Sequence, residues 1–290
     1  MSRIFDCFTY DREDLVYERI ALLGPHVDTF VIVEGTHTFQ GTPKEASFDP
    51  GRVPEMFRHK IDYTLFDLSA HLGSGSAWTI EAAQRNALMS VVDKAGDDDF
   101  IILSDVDEIP RPDLLARRKL RPARLDMLNC YFYVDYICEN APIWSRAIVL
   151  KKPVLPDGMT FEHVRSRKLN HKLGNIANAG WHLSYLGGID TIYEKISRFS
   201  HTELSDYANV SVEEYLNKIR NGIDIYDRSG RWGKLPSLPA YYDELLKSEY
   251  FRQYLAPDDI RVADPAILRP KFLKASIKAQ LKKLRPLLFR

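Results

Sequence analysis

A chain of 290 residues with 45% hydrophobic side chains has enough apolar material for a full core, and at 28% charged it is too apolar for a disordered segment. Forty Lys and Arg balance forty Asp and Glu, so no overall field favours nucleic acid or another strongly charged partner. The balance is uneven, because the segment from Arg269 to Arg290 holds eight basic residues and no acid.

In chain order, Ile4 to Phe8 is a short apolar run, and Asp11 to Leu23 has near-helical apolar spacing that stops at Gly24-Pro25. Thr29 to Val33 is a β-branched strand, and Ile61 to Phe66 is a third strand. Ser76 to Ala95 is predicted as one helix ending at Gly96, and Phe100 to Leu103 as a strand buried on both faces. This order argues for a mainly parallel sheet flanked by helices, with ligands expected beyond the carboxyl ends of the strands. Past Pro112 the pattern becomes mixed. Strands are predicted at Asp126 to Cys138, Ala147 to Val149 and Asn175 to Tyr185. Helices are predicted at Thr191 to Phe199 and Val212 to Asn221, and a long loop at Asn221 to Ala240. The expected division is a nucleotide-binding half over 1–110, an acceptor half over 111–265 and a basic amphipathic tail over 266–290.

No secretory signal and no run of about 18 apolar residues is visible, so the expected location is cytoplasmic. The tail, with apolar residues such as Ile267, Phe272 and Leu281 among its basic ones, is a candidate for peripheral contact with an anionic membrane. Cys7, Cys130 and Cys138 form no paired motif and read as buried free thiols in a reducing compartment.

The chemistry concentrates in FIILSDVDEIP, residues 100 to 110, where a buried strand runs into Asp105, Asp107 and Glu108. If the segment is extended, Asp105 and Asp107 face one side with Cα atoms roughly 6.6 Å apart. Crowded carboxylates repel, a bound cation relieves them, and oxygen ligands suit Mg²⁺ or Mn²⁺. Capping of a helix starting at Pro112-Asp113 is the structural alternative. A carboxylate pair that holds an ion on a nucleotide-sugar diphosphate would serve glycosyl transfer.

FIILSDVDEIP, the N-terminal run IFDCFTYDREDLVYERIALLGPHVDTFVIVEGTHTFQGTPK, and AGWHLSYLGG followed by KISRFSHTE together resemble glycosyltransferase family 17 over roughly residues 3 to 255. The resemblance implies a GT-A-like fold, inversion at the anomeric carbon, a UDP-sugar donor (N-acetylglucosamine in the animal members) and Mn²⁺ or Mg²⁺. The chain shows no membrane anchor or lumenal stem like those of the animal enzymes, so the expected acceptor is a carbohydrate or lipid-linked glycan rather than a mature glycoprotein.

On this resemblance Asp105, Asp107 and His182 are the expected metal ligands, with Glu108 orienting its neighbours and His201 a rival to His182. Thr9, Tyr10, Glu34, Thr38, Gly41, Lys44, Arg85, Asn86, Lys195 and Arg198 are candidates for binding the nucleotide-sugar. Plain pairings, Glu34 with Lys44 and Glu81 with Arg85, are the alternatives. Asp135 and Glu139, with Glu162 behind them, are the candidate catalytic bases. Trp144 and Trp232 are candidate sugar-stacking faces, and Arg228 to Lys234 a candidate lid. Three other functions share some of these features. A nucleotidyltransferase would carry a glycine-rich loop where this chain has TYDRED. A phosphatase of the D-x-D-x-T type would need a hydroxyl residue where Ile109 stands. A non-catalytic glycan-binding module is the third.

Overall fold

The structure is a computed structural model and describes residues 2–73, 76–118, 120–166, 173–198 and 202–268. Strand β1 (Ile4–Tyr10) leads through α1 (Leu15–Leu23) to β2 (Thr29–Gly35) and β3 (Ile61–Phe66). Helices α2 (Ala77–Ala87) and α3 (Val91–Lys94) precede β4 (Phe100–Asp105), β5 (Glu108–Pro110) and α4 (Pro112–Ala116). There follow β6 (Ala123–Tyr131), β7 (Tyr136–Cys138), β8 (Ile143–Trp144), β9 (Ile148–Leu150), α5 (Phe161–Arg165) and β10 (Gly174–Ser184). Helices α6 (Ile189–Arg198) and α7 (Val212–Asn221), strand β11 (Trp232–Lys234) and the short helices α8 (Tyr242–Leu245) and α9 (Glu249–Gln253) complete the order.

One sheet of 11 strands runs through both expected halves in the order β11-β7-β6-β9-β4-β1-β2-β3, with β10 on β5 and β6 and β8 on β6. The long ladders, β1 with β2 and β4, β2 with β3 and β6 with β10, are parallel. The antiparallel pairings are short and lie from β4 onward. This mixed α/β architecture is compatible with the GT-A-like fold expected above.

Burial on both faces explains the continuous apolar strands. Ile4, Phe8 and Tyr10 of β1 pack with Leu15, Val16, Ile20 and Leu23 of α1 in one core cluster. Phe5 and Cys7 point the other way, to Leu88, Val91 and the Phe161 and Val164 of α5. Each such Leu, Ile or Phe contributes about 1.5–3 kcal/mol by leaving water. A third cluster joins Tyr185, Ile192, Tyr215, Tyr226 and Trp232 around α6, α7 and β11.

Three elements differ from expectation, one of them β11, which falls inside the stretch Asn221 to Ala240 expected as a loop. The predicted helix over 76–95 breaks after Ala87 into a 3₁₀ turn, Leu88–Ser90, before α3, a tightening that lets both Leu88 and Val91 reach the core. The predicted strand over 126–138 is two strands, split where Phe132 takes a φ of 63°. The turn between them is tied by the Asp135 carboxylate, which accepts from the Ala256 N–H at 2.7 Å, and by the Asp135 carbonyl, which accepts from Leu235 N–H at 2.8 Å. All three cysteines are free and buried, and burial pushes the Cys130 and Cys138 thiols up to about 12 and about 11. Among the described residues no helix is long and apolar enough to cross a membrane. The basic tail beyond Leu268 lies outside the described residues.

Candidate active site

The carboxyl ends of β1 and β4 sit side by side, with Thr9 in register with Asp105, and a cleft of about 460 Å³ opens above them. Helix α2 closes one wall: its Gln84 side chain donates to the carbonyls of Tyr10 at 3.2 Å and Val33 at 2.9 Å, tying the helix to both strand ends.

The acidic segment is a turn, not the extended run that its spacing suggested. β4 ends at Asp105, Val106 and Asp107 make the turn, and β5 begins at Glu108. Its shape comes from Arg19 of α1, a guanidinium with no exposed surface. Arg19 Nη1 donates to the carbonyl oxygens of Asp105, Val106 and Glu108 at 2.9, 3.1 and 2.7 Å. Its Nη2 donates to Ser104 Oγ at 2.7 Å, and the Asp6 carboxylate takes a two-bond fork at 2.6 and 2.9 Å.

A second guanidinium holds the side chains. Arg165 Nη1 and Nη2 bond Glu108 at 2.7 and 2.8 Å, and Nη2 also meets Asp105. Glu108, fully buried, further accepts from the Asp105 N–H at 2.9 Å and from Trp144 Nε1. Arg85 pairs with Glu81 and Glu162 and stands 3.5 Å from Asp105. Burial would raise the Asp105 carboxyl, but Arg165 and Arg85 outweigh it and hold it below the usual carboxylate range.

Asp107 meets a different set. Lys195 of α6 bonds its Oδ2 at 2.9 Å and Ser184 Oγ at 3.2 Å. His182 Nε2 stands 3.8 Å from the same oxygen. Burial opposes the Asp107 charge, but Lys195 and then His182 override it and hold the carboxyl well down. The imidazole is fixed on three sides: Nδ1 is 3.0 Å from Asn129 Oδ1, Trp144 stacks on it at 4.2 Å, and Tyr131 meets it edge-on. Gly180 lets its strand close on β5, since a Cβ there would collide with the Ile109 carbonyl.

Of the expected residues, Thr9, Tyr10, Arg85, Asp105, Asp107, His182 and Lys195 line the cleft, as do Glu162 and Trp144. The others do not. Glu34 is buried under bonds from Lys44, Ser47, Phe48 and Tyr63, and Lys44 is shared between Glu34 and Asp11. Thr38 closes a turn on Thr42, with Gly41 at a positive φ inside it. Asn86 accepts from the Glu162 N–H at 2.9 Å and so holds α5. Asp135 is committed to its turn, as described, and Glu139 to Arg261 at 2.5 Å, so neither reaches the cleft as a base. Trp232 is buried against Tyr131 and Tyr136, and Trp232 to Lys234 pair with β7 as a strand, which pins the segment expected as a lid. The side chain of Arg198 and all of His201 lie outside the described residues.

Arg19, Arg165 and Glu13 were not expected. Arg19 was legible in principle, because it occupies the apolar stripe of α1 with Leu15, Val16, Ile20 and Leu23, where a cation requires a buried partner. Glu13 lines the cleft just ahead of α1. Burial, and after it the charge of Asp11, holds its carboxyl up at about 7.

The donor set suits a divalent ion at one point. With Nδ1 donating to Asn129 Oδ1, His182 keeps a lone pair on Nε2 toward Asp107, and burial, against the pull of Asp107, keeps the ring neutral by lowering its pKa. Asp105 is taken by guanidinium groups. Among the described residues no three His, Cys, Asp or Glu are grouped to hold an ion. Asp107, which also bonds Lys195, and His182 are the two side chains there that would hold such an ion if one binds.

A charge-dense cleft at the carboxyl edge of parallel strands defines an α/β protein with its ligand site at the position such sheets favour. The chain belongs to glycosyltransferase family 17, whose sequence profile matches residues 1–231. It is 30% identical to the human β-1,4-mannosyl-glycoprotein 4-β-N-acetylglucosaminyltransferase and 25% identical to the rat enzyme of the same name. Each match covers 79% of this chain and 48% of the relative, so the chain spans about half the length of these relatives.

Proposed function

We propose that this protein is an inverting glycosyltransferase that moves a sugar, N-acetylglucosamine in the first instance, from a UDP-sugar to a hydroxyl of a glycan or lipid-linked glycan. The observation that carries the reading is the pair Asp107 and His182, 3.8 Å apart on the wall of the cleft in a family 17 chain. The donor sugar follows from the names of the relatives, which are N-acetylglucosaminyltransferases.

In this reading Asp107 and His182 hold the Mn²⁺ or Mg²⁺, which when bound offsets the charge of the leaving diphosphate. Lys195 adds a fixed positive charge beside them. The acceptor oxygen bonds to the anomeric carbon as the bond from that carbon to the diphosphate breaks, and the electron pair leaves with the diphosphate. Glu13 is the base we assign for the acceptor proton. It lines the cleft, ionises near neutrality, and shares the electrostatic reach of Lys195 with Asp107. Glu162, also on the cleft, is neutralised by Arg85.

The test is a thermal-shift and hydrolysis series on the purified chain. Mn²⁺ and UDP together are expected to raise the melting temperature more than either alone, Asp107→Ala to remove that increment, and a UDP-sugar to be slowly hydrolysed. No increment and no turnover with any nucleotide-sugar would overturn the reading.

A further inference from the structure

The loop between α7 and β11 puts Arg228 on the cleft wall. Its guanidinium is held from behind, with Nε and Nη2 each donating at 2.9 Å to the two carboxylate oxygens of Asp224. Asp224 does not line the cleft, and its side chain is 4% exposed while that of Arg228 is 49% exposed. The same carboxylate accepts from the Tyr226 N–H at 2.9 Å and from Trp232 Nε1 at 3.3 Å, so it anchors the whole loop. Tyr226 stacks under the arginine with Cζ 4.9 Å from its ring. The tyrosine is fixed in turn by a 2.6 Å contact between its hydroxyl and that of Tyr185, and by Tyr207 donating to its carbonyl at 2.9 Å. An arginine gripped this way on one edge, with Nη1 outside the fork, is pre-oriented toward a ligand.

The cleft's charge balance says what that ligand is. Arg85, Arg165 and Lys195 each face a carboxylate that itself lines the cleft, namely Glu81, Glu162, Asp105 or Asp107. Arg228 differs in having its counter-charge behind it, outside the cleft. Lys195 Nζ lies 5.0 Å over the ring of Tyr185, Arg228 Cζ lies 4.9 Å over that of Tyr226, and the two tyrosine hydroxyls are 2.6 Å apart, so the two cations stand over neighbouring rings on the cleft wall. A planar N–H edge next to a lysine is suited to phosphoryl oxygens.

We infer that Arg228, aimed by Asp224, binds a phosphoryl group of the nucleotide donor's diphosphate. The inference rests on the nucleotide-sugar reading above and deepens it by assigning the residue and the loop. Asp224 is a positioning residue, and the loop is a fixed wall.

Calorimetric titration of the full chain with UDP and with UMP, in the presence of Mn²⁺, tests it in the wild type and in Arg228→Met, Arg228→Lys, Asp224→Asn and the Arg228→Met/Asp224→Asn double variant. Methionine keeps the apolar stem over Tyr226. Arg228→Met is expected to weaken UDP about 10- to 100-fold while weakening UMP less, so that the UDP/UMP preference collapses. Arg228→Lys should keep part of the preference. Asp224→Asn should lose some of it, and the double variant should be no weaker than Arg228→Met alone. UDP binding unchanged in Arg228→Met, or UDP and UMP weakened equally, overturns the assignment. A wild type that binds no nucleoside diphosphate overturns the nucleotide-sugar reading itself, before any variant is compared.

Discussion

Arg19 Nη1 donates at 2.7 Å to the carbonyl oxygen of Glu108, tying the first helix of the chain to the turn that carries the site's acids. Arg19 and its partner Asp6 are both without exposed surface. Removing one member of such a pair leaves the other charged and buried, which costs about 3–5 kcal/mol. Arg19→Met is expected to lower unfolding free energy by about that amount in urea titrations, and Asp6→Asn added to it should recover part. A loss below about 1 kcal/mol would show that the pair does not hold the turn.

Asn129 touches the proposed ion site only through His182 Nδ1. Residues that orient a ligating imidazole typically change metal affinity about 10- to 100-fold. Asn129→Ala should therefore weaken Mn²⁺ binding in the presence of UDP within that range, read from the free-Mn²⁺ resonance signal. It should also cost about 1–3 kcal/mol of stability, because Asn129 Nδ2 donates to the Ala141 carbonyl at 3.0 Å. An unchanged Mn²⁺ affinity would detach His182 from the ion.

Glu13 gives a pH signature. Its folded pKa of about 7 lies above the ordinary value of 4.5, so the native chain holds this proton more tightly than the unfolded chain does. The resulting stability is complete below pH about 4.5 and fades as pH rises through about 7. Urea titrations of Glu13→Gln should match the wild type near pH 4.5 and show the variant more stable by pH 8, after this proton has left the wild type. Transfer rates should rise through pH about 7 in the wild type and fall at least about 100-fold in Glu13→Gln. A variant that keeps the same rising limb would place the base elsewhere.

Gly180 is a packing requirement. Any Cβ at this position runs into the Ile109 carbonyl of β5, and a paired strand cannot step aside as a side chain would. Gly180→Ala is expected to cost at least about 3 kcal/mol, the upper end for overpacking. It should also weaken Mn²⁺ binding with UDP, because His182 rides two residues along the same strand. A melting curve like that of the wild type would mean that the two strands have slack.

Local pattern carried the elements whose ends are chemically marked. Helix α7 has the bounds expected, because Ser211 accepts from the Glu214 N–H at its start and Gly222 takes a φ of 72° at its end. Strand β3 likewise spans Ile61–Phe66, the bounds expected. His182 reaches the cleft because β10 pairs with β5, and Asp105 and Asp107 reach it because β4 ends there. The i, i+2 geometry of the two aspartates was not legible, since it depends on Arg19 drawing three carbonyls into a turn from 86 or more residues away. The pairing of Glu34 with Lys44 was read from the sequence as the alternative and is what forms, whereas Asp135 and Glu139 have the right chemistry for a site but are each satisfied by a partner that only the tertiary fold supplies. The fork of Arg165 on Glu108, 57 residues apart, is invisible for the same reason.

The two arginines on the acidic turn, one from residue 19 and one from residue 165, also bear on how the molecule opens. Amides at residues 105–108 cannot exchange with solvent by local fraying without stripping Arg19 of its carbonyl partners. The turn should therefore exchange hydrogen together with β1 and α1 as one cooperative unit, at close to the free energy of global unfolding.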